Sequence, residues 1–171
     1  MAVGSLLLGA ACLPAQAQIG SSTPVRIGVV GPFTGPSADF GVPMLNGIKL
    51  AVDEMNAVGG YLGRPLELVI KDDAANPDQG RKVSQELLSE KVVAAIVFCN
   101  TGVAMKAIDL FQDTNTPLIV PCATGTAVTA KYPAPESYIF RVTARDALQA
   151  PFMVEDIVKR GAGTLALAGA T

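Results

Sequence analysis

The sequence predicts an α/β fold: a doubly wound parallel sheet with helices on both faces. Three observations predict it. Short apolar runs alternate with longer stretches of helical spacing from residue 25 to residue 168. Repeated strand–helix units of this length specify parallel strands, because a parallel connection needs a long crossover and a helix is the usual one. The run Val92-Val-Ala-Ala-Ile-Val-Phe98 holds no polar residue, as expected of a central strand buried on both faces.

Each element follows in order. Residues 1–17 read as a removable targeting segment: Ala2 to Leu13 is uncharged and includes Leu6-Leu7-Leu8, and Pro14 and Ala15-Gln16-Ala17 supply a small-x-small site before Gln18. The apolar stretch is shorter than the roughly 20 residues of a bilayer span. It departs from the usual pattern in one respect, since the first charged residue is Arg26. A lipoprotein reading through Cys12 is weaker, because Gly9-Ala10-Ala11 lacks the usual aliphatic residue. Val25 to Val30 reads as the first strand, and the turn-rich Gly31-Pro-Phe-Thr-Gly-Pro-Ser37 as its loop. From Gly41 to Val58, Leu45, Ile48, Val52 and Met55 fall at helical spacing, and Gly59-Gly60 stops the helix.

Leu66 to Ile70 is the second strand. The Asp72-Asp73 pair after it suits a strand end with an Asx turn. Asn76 can cap the next helix and Pro77 suits its first turn, with the helix running to about Lys91. Val92 to Phe98 is the third strand. Asn100-Thr101-Gly102 opens a helix with Val103, Ala107, Leu110 and Phe111 on one face. Pro117 to Val120 and Tyr138 to Val142 are further strands, and Arg145 to Arg160 is helical, ended by Gly161 and Gly163. Thr164 to Ala168 reads as one more strand.

Composition narrows the function. With 13 basic and 15 acidic residues interleaved, there is no basic stripe, which argues against a nucleic-acid partner. The chain has no His, which removes Ser-His-Asp and Cys-His catalysis and His-based metal sites. Two cysteines remain beyond the targeting segment, too few for a zinc site. Cys99 and Cys122 end strands expected to be neighbours, so they are either small buried hydrophobes or a disulfide. No metal, cofactor or enzymatic activity is expected.

Ligands of such sheets bind at the carboxyl ends of the strands. The loops there are Thr34 to Gly41, Cys99 to Gly102, and Pro121 to Thr126, all small, neutral and hydroxyl-rich. Two lead into helices, at Gly41 and Gly102, where free backbone N–H groups can bind a carboxylate. The first loop is neither GxGxxG nor a Walker loop, because Pro32 and Pro36 replace N–H donors and no Lys-Ser/Thr follows. A zwitterion or small carboxylate therefore suits the site better than a phosphate. The plainer roles are a helix N-cap for Thr101, turn residues for Thr124 and Thr126, and loop packing for Phe40.

Residues 25–41, Val-Arg-Ile-Gly-Val-Val-Gly-Pro-Phe-Thr-Gly-Pro-Ser-Ala-Asp-Phe-Gly, resemble the opening of the leucine/isoleucine/valine-binding proteins of bacterial importers. So do Asn46-Gly47, Ala51 to Gly60, Asp72-Asp73-Ala-Ala-Asn-Pro77, Pro121-Cys-Ala-Thr124 and Phe140-Arg141-Val-Thr143, all in register across 25–171. The resemblance implies a type I periplasmic-binding fold, with two α/β lobes, a hinge and a ligand clamped between them. It divides the chain into a signal peptide (1–17), an N-terminal ligand-binding lobe (18–143) and an incomplete start of the second lobe (144–171).

By position, Thr101 resembles the hydroxyl residue on the ligand α-carboxylate. Cys122 corresponds to a residue that uses its backbone carbonyl, and Thr124 to a hydroxyl contact. Phe40 sits where relatives place an aromatic, and Asp146 where some have an acid at the cleft edge; Asn100 and Ala123 complete the expected ligand-binding set. Ala75 stands where some leucine-binding relatives have a cysteine, so the resemblance implies that their disulfide is absent here. Asn100 and Cys122 also differ from the residues commonest at their positions. The implied function is an extracytoplasmic solute-binding protein of an ABC importer, exported to the periplasm, with a small amino acid or related carboxylate as ligand and a membrane permease as partner. A ligand-sensing module of the same fold in a receptor or regulator is the alternative.

Overall fold

The computed structural model describes residues 23–161. The targeting segment read at 1–17 and the strand read at Thr164–Ala168 lie outside them.

The chain alternates as expected. The first strand is β1 (Val25–Gly31), followed by α1 (Ala38–Ala57). This helix begins three residues before Gly41 and continues through Pro43. The Gly41 N–H bonds the Ser37 carbonyl, so it is not the free donor that the sequence suggested. Gly59 and Gly60 end the helix at positive φ, and the Gly60 N–H returns to the Met55 carbonyl. Next come β2 (Leu66–Asp72) and α2 (Pro77–Ser89). Asn76 caps α2 as read, its Oδ1 accepting from the N–H groups of Asp78 (2.9 Å) and Gln79 (3.0 Å).

The remaining elements are β3 (Ala94–Val97), α3 (Thr101–Asp113), β4 (Leu118–Val120), α4 (Ala127–Ala130), β5 (Ile139–Arg141) and α5 (Asp146–Lys159). The five strands form one parallel sheet in the order β2-β1-β3-β4-β5. The order reverses direction between β1 and β3, which is where a doubly wound sheet opens a binding crevice.

The core lies between this sheet and α2, α3 and α4. Val30, Val69, Ala95, Val97, Leu118, Val120 and Ile139 point into it and meet Leu87, Val103, Ile108, Phe111 and Val128. Phe98 and Phe111 pack edge to face, ring centres 6.1 Å apart. Among the described residues, the other face is covered by α1 alone, which packs over β1 and β2. Helices thus lie on both faces as expected, but unequally. One expectation fails for that reason: β3 is not buried on both faces. Ala94 and Ile96 are half-buried and Val93 is 55% exposed, because no described helix reaches over that part of the sheet. A groove of about 860 Å³ runs between α1 and the sheet, lined by Ile27, Ile48, Val52, Met55, Leu66 and Ile96 among others. No residue of α5 is buried, and Phe152 and Val158 are among its exposed apolar side chains.

Candidate ligand-binding site

The site is built where β1, β3 and β4 end. The loop after β1 is fixed by Asp72, the last residue of β2. One carboxylate oxygen accepts from the N–H groups of Phe33 (2.9 Å), Thr34 (3.3 Å) and Ala74 (2.9 Å), and the other from the Thr34 hydroxyl (2.6 Å). Partial burial pushes this carboxyl up, but the Thr34 hydroxyl and the three N–H groups outweigh it and hold the group below its usual range. Asp73 accepts from the Ala75 N–H (2.8 Å) through Oδ1, while its Oδ2 is buried without a partner. Both aspartates therefore make the Asx turns read from the sequence. Desolvation raises Asp73 to about 6, against the pull of the Ala75 N–H and with the help of the Asp72 charge.

At the end of β3, Phe98 takes φ 73°, a conformation that is strained for a bulky residue. Its N–H bonds the Val30 carbonyl (2.9 Å), and its carbonyl accepts from Ala123 N–H (3.4 Å). The buried ring and these two bonds hold the turn that aims Cys99 and Asn100 out of the sheet. Asn100 is the residue before α3 and makes no side-chain cap. Its Nδ2 instead donates to Ser37 Oγ (3.0 Å), joining the β1 and β3 loops, and its Oδ1 is buried without a partner. Thr101 is the first residue of α3 rather than its cap. Its Oγ1 accepts from the Gly125 N–H (3.1 Å), which leaves the hydroxyl proton free to donate. A Cβ on Gly125 would overlap the Thr101 side chain, so the close approach of these two loops requires glycine.

Cys99 and Cys122 are paired as a disulfide, Cα atoms 4.4 Å apart. Ala123 is buried. The Thr124 carbonyl accepts from Arg141 Nη1 (3.0 Å) and from the Asp146 N–H (2.9 Å), which commits the carbonyl and leaves the hydroxyl available. Arg141 also bonds the Gly125 carbonyl (2.8 Å) and Thr129 Oγ1 (3.3 Å). This clamp on the β4 loop was not read from the sequence, although the Phe140-Arg141 motif marked its position. Thr126 Oγ1 accepts from the Ala147 N–H (3.0 Å), a role beyond a simple turn.

All seven expected residues lie at the carboxyl end of the sheet. The Thr101–Gly125 and Phe98–Ala123 bonds and the Cys99–Cys122 pair bring together the loops that carry Asn100, Thr101, Cys122, Ala123 and Thr124. Phe40, on the first turn of α1, is 66% exposed and shares the end of the groove with Cys122. Asp146 is tied in through its backbone, and its side chain is exposed. Apart from Tyr61 and Cys122, the side chains that line the groove are apolar, so most of it is uncovered sheet and helix surface. Among the described residues, no group of three or more His, Cys, Asp or Glu could hold a metal, and no helix is long and apolar enough to cross a membrane.

A parallel α/β lobe with small hydroxyl-bearing loops gathered at its switch point belongs to the class of small-molecule binding lobes. Known proteins place it more closely. Residues 24–171 match the periplasmic binding protein family model, and the chain belongs to that family. It is 32% identical to a Leu/Ile/Val-binding protein homolog of Brucella melitensis over 135 residues, covering 79% of this chain and 36% of the relative. Among solved structures it is similar to the branched-chain amino acid transporter substrate binding protein of Streptococcus pneumoniae in complex with isoleucine, with 30% identity, TM-score 0.68, and 73% and 35% of the two chains covered. It is also similar to a solute binding protein of an ABC transporter from Rhodopseudomonas palustris in complex with 3,4-dihydroxybenzoic acid, with 29% identity, TM-score 0.72, and 81% and 37% covered. The chain spans about a third of the length of the relatives it matches.

Proposed function

We propose that this lobe serves an extracytoplasmic solute-binding protein of an ABC importer, which holds a small amino acid or related carboxylate between two lobes and delivers it to a membrane permease. In this reading residues 18–143 are the first lobe, residues from 144 begin the second, and the protein is exported to the periplasm. The observation that carries it is the junction of Thr101 and the 122–125 loop. Thr101 keeps a free hydroxyl proton beside the first turn of α3, where N–H groups lack acceptors four residues back. A carboxylate is the group such donors hold. The Cys122 carbonyl and the Thr124 hydroxyl face an ammonium or hydroxyl, Asn100 shapes the floor, Ala123 leaves room beside them, Phe40 lies against the ligand's side chain, and Asp146 sits at the cleft edge.

The two liganded relatives share a carboxylate and differ beyond it, which supports the class of head group and leaves the rest of the ligand to the second lobe. Calorimetry on a two-lobed chain against amino acids and organic acids tests the reading. Binding of at least one carboxylate is expected, weakened about tenfold by Thr101→Val, the scale of one hydrogen bond to a charged group. The 171-residue chain by itself is expected to bind weakly. Silence across the panel together with measurable hydrolysis of a substrate would overturn it.

A further inference from the structure

Three sulfur atoms meet at the carboxyl end of the sheet. Met44 Sδ, from α1, lies 3.6 Å from Cys99 Sγ and 3.8 Å from Cys122 Sγ. The cysteines each lie two residues past a strand, Cys99 after β3 and Cys122 after β4, and are themselves paired. All three residues are half-buried, and Phe40 and Pro121 flank them at the end of the groove. The reading of the ligand head group uses none of these sulfurs, since Cys122 enters it through its carbonyl. Three separate elements thus converge on a cluster with no assigned role.

We propose that, when the Cys99–Cys122 bond is reduced, the two thiolates and the Met44 thioether form a binding site for a soft monovalent metal ion of the copper(I) or silver(I) class. Thiolate and thioether ligands select such ions over hard, oxygen-seeking ones. The spacing fits. With metal–sulfur bonds of about 2.3 Å, as for a zinc–thiolate bond, three sulfurs in a plane around one ion stand about 4 Å apart. Met44 already stands near that distance from both cysteines. Zinc is a poorer match, because it takes four ligands and, among the described residues, no third His, Cys, Asp or Glu joins the cluster.

The chemistry balances with a thiol reductant. Two reductant thiols become one disulfide and deliver two electrons and two protons to the protein, giving Cys99 and Cys122 thiols. The metal ion then displaces both protons and binds the thiolates. Reoxidation by dioxygen, which takes two electrons from the thiolates and leaves as water or peroxide, removes two of the three ligands and releases the ion, so the disulfide and the metal are mutually exclusive.

The test is a silver(I) titration of the 171-residue chain carrying Cys12→Ser, followed by calorimetry. One sample is reduced with dithiothreitol and desalted under nitrogen, and the other is air-oxidised. The reduced chain should bind one silver ion about a hundredfold more tightly than the oxidised one. Met44→Leu should keep the stoichiometry and weaken binding about tenfold, both figures on the scale of losing groups at a metal site. Equal affinity in the two redox states would overturn the proposal, as would a Met44→Leu chain that binds like its parent. The redox comparison needs no variant at the cysteines, so it holds even where Cys122→Ser fails to fold. Either outcome leaves the amino-acid reading untouched, because that reading uses no sulfur.

Discussion

Two neighbouring rows of residues cross the same sheet and meet different surroundings. Gly28, Val69, Ala95, Leu118 and Ile139 are register partners from strand to strand, and the four with side chains are at most 7% exposed. One residue further along each strand, Val29, Ile70, Ile96, Ile119 and Phe140 form the next row on the opposite face. Val29, near α1, is fully buried, yet Ile70 is 39%, Ile119 38% and Phe140 54% exposed. Both rows are equally apolar. What separates them among the described residues is the partner: α2, α3 and α4 on one side, α1 alone on the other. Hydrophobicity marks a face as able to be buried, and only a packed neighbour turns that into stability.

The comparison breaks first at the phenylalanines. Phe111→Ala on the covered side should cost about 3–5 kcal/mol of unfolding free energy in urea, the usual loss for a buried aromatic. Phe140→Ala on the open side should cost less than about 1 kcal/mol, because more than half of its surface already meets water. Equal losses would mean that the open face is covered in solution.

Asp73 sharpens the comparison through pH. Its carboxyl is buried close to Gly80 on α2. Its folded value of about 6 lies above the ordinary value of 3.8, so between these limits the folded state binds more protons than the unfolded one. Stability from this group is therefore present below pH 4 and lost as pH rises through 6. Asp73→Asn removes that slope. Relative to the parent, the variant should gain about 3 kcal/mol between pH 4 and pH 7, at about 1.4 kcal/mol per unit. Unfolding titrations at both pH values measure it, and parallel curves would sink the assignment.

Two helical glycines give the smallest contrast. A Cβ at Gly80 would overlap the Val103 side chain, where α2 packs against α3, while one at Gly47 on α1 meets nothing within 4 Å. Gly80→Ala should cost about 1–3 kcal/mol by overpacking. Gly47→Ala should gain about 0.5–1 kcal/mol from helix propensity. In a longer chain whose added residues cover α1, that gain should disappear, and thermal melts of both chains would show it.

The order of strands and helices was legible because period and punctuation are local signals. Asn76-Pro77 announced α2, and Gly59-Gly60 ended α1. The four-residue α4 was not legible, since a single turn displays no periodicity. The continuous apolar run at 92–98 promised burial on both faces, but its second face depends on a neighbour that no local pattern can specify. The site divides in the same way. The loops at 99–102 and 121–126 stood out by composition, and the Asx turns of Asp72 and Asp73 by residue type. The contacts that assemble them, Asn100 to Ser37, Thr101 to Gly125 and Arg141 to the Thr124 carbonyl, join residues 17 to 63 positions apart. Those could be seen only once the sheet had brought the loops together.

The start of α5 has a mechanical consequence. Its first two N–H groups are fastened to the Thr124 carbonyl and the Thr126 hydroxyl, while none of its side chains is buried. The helix is therefore a lever with its fulcrum on the loop that carries Cys122 and Thr124. A force that swings its other end either snaps two hydrogen bonds or drags that loop with it, so strain applied far from the sheet is felt first at the strand ends.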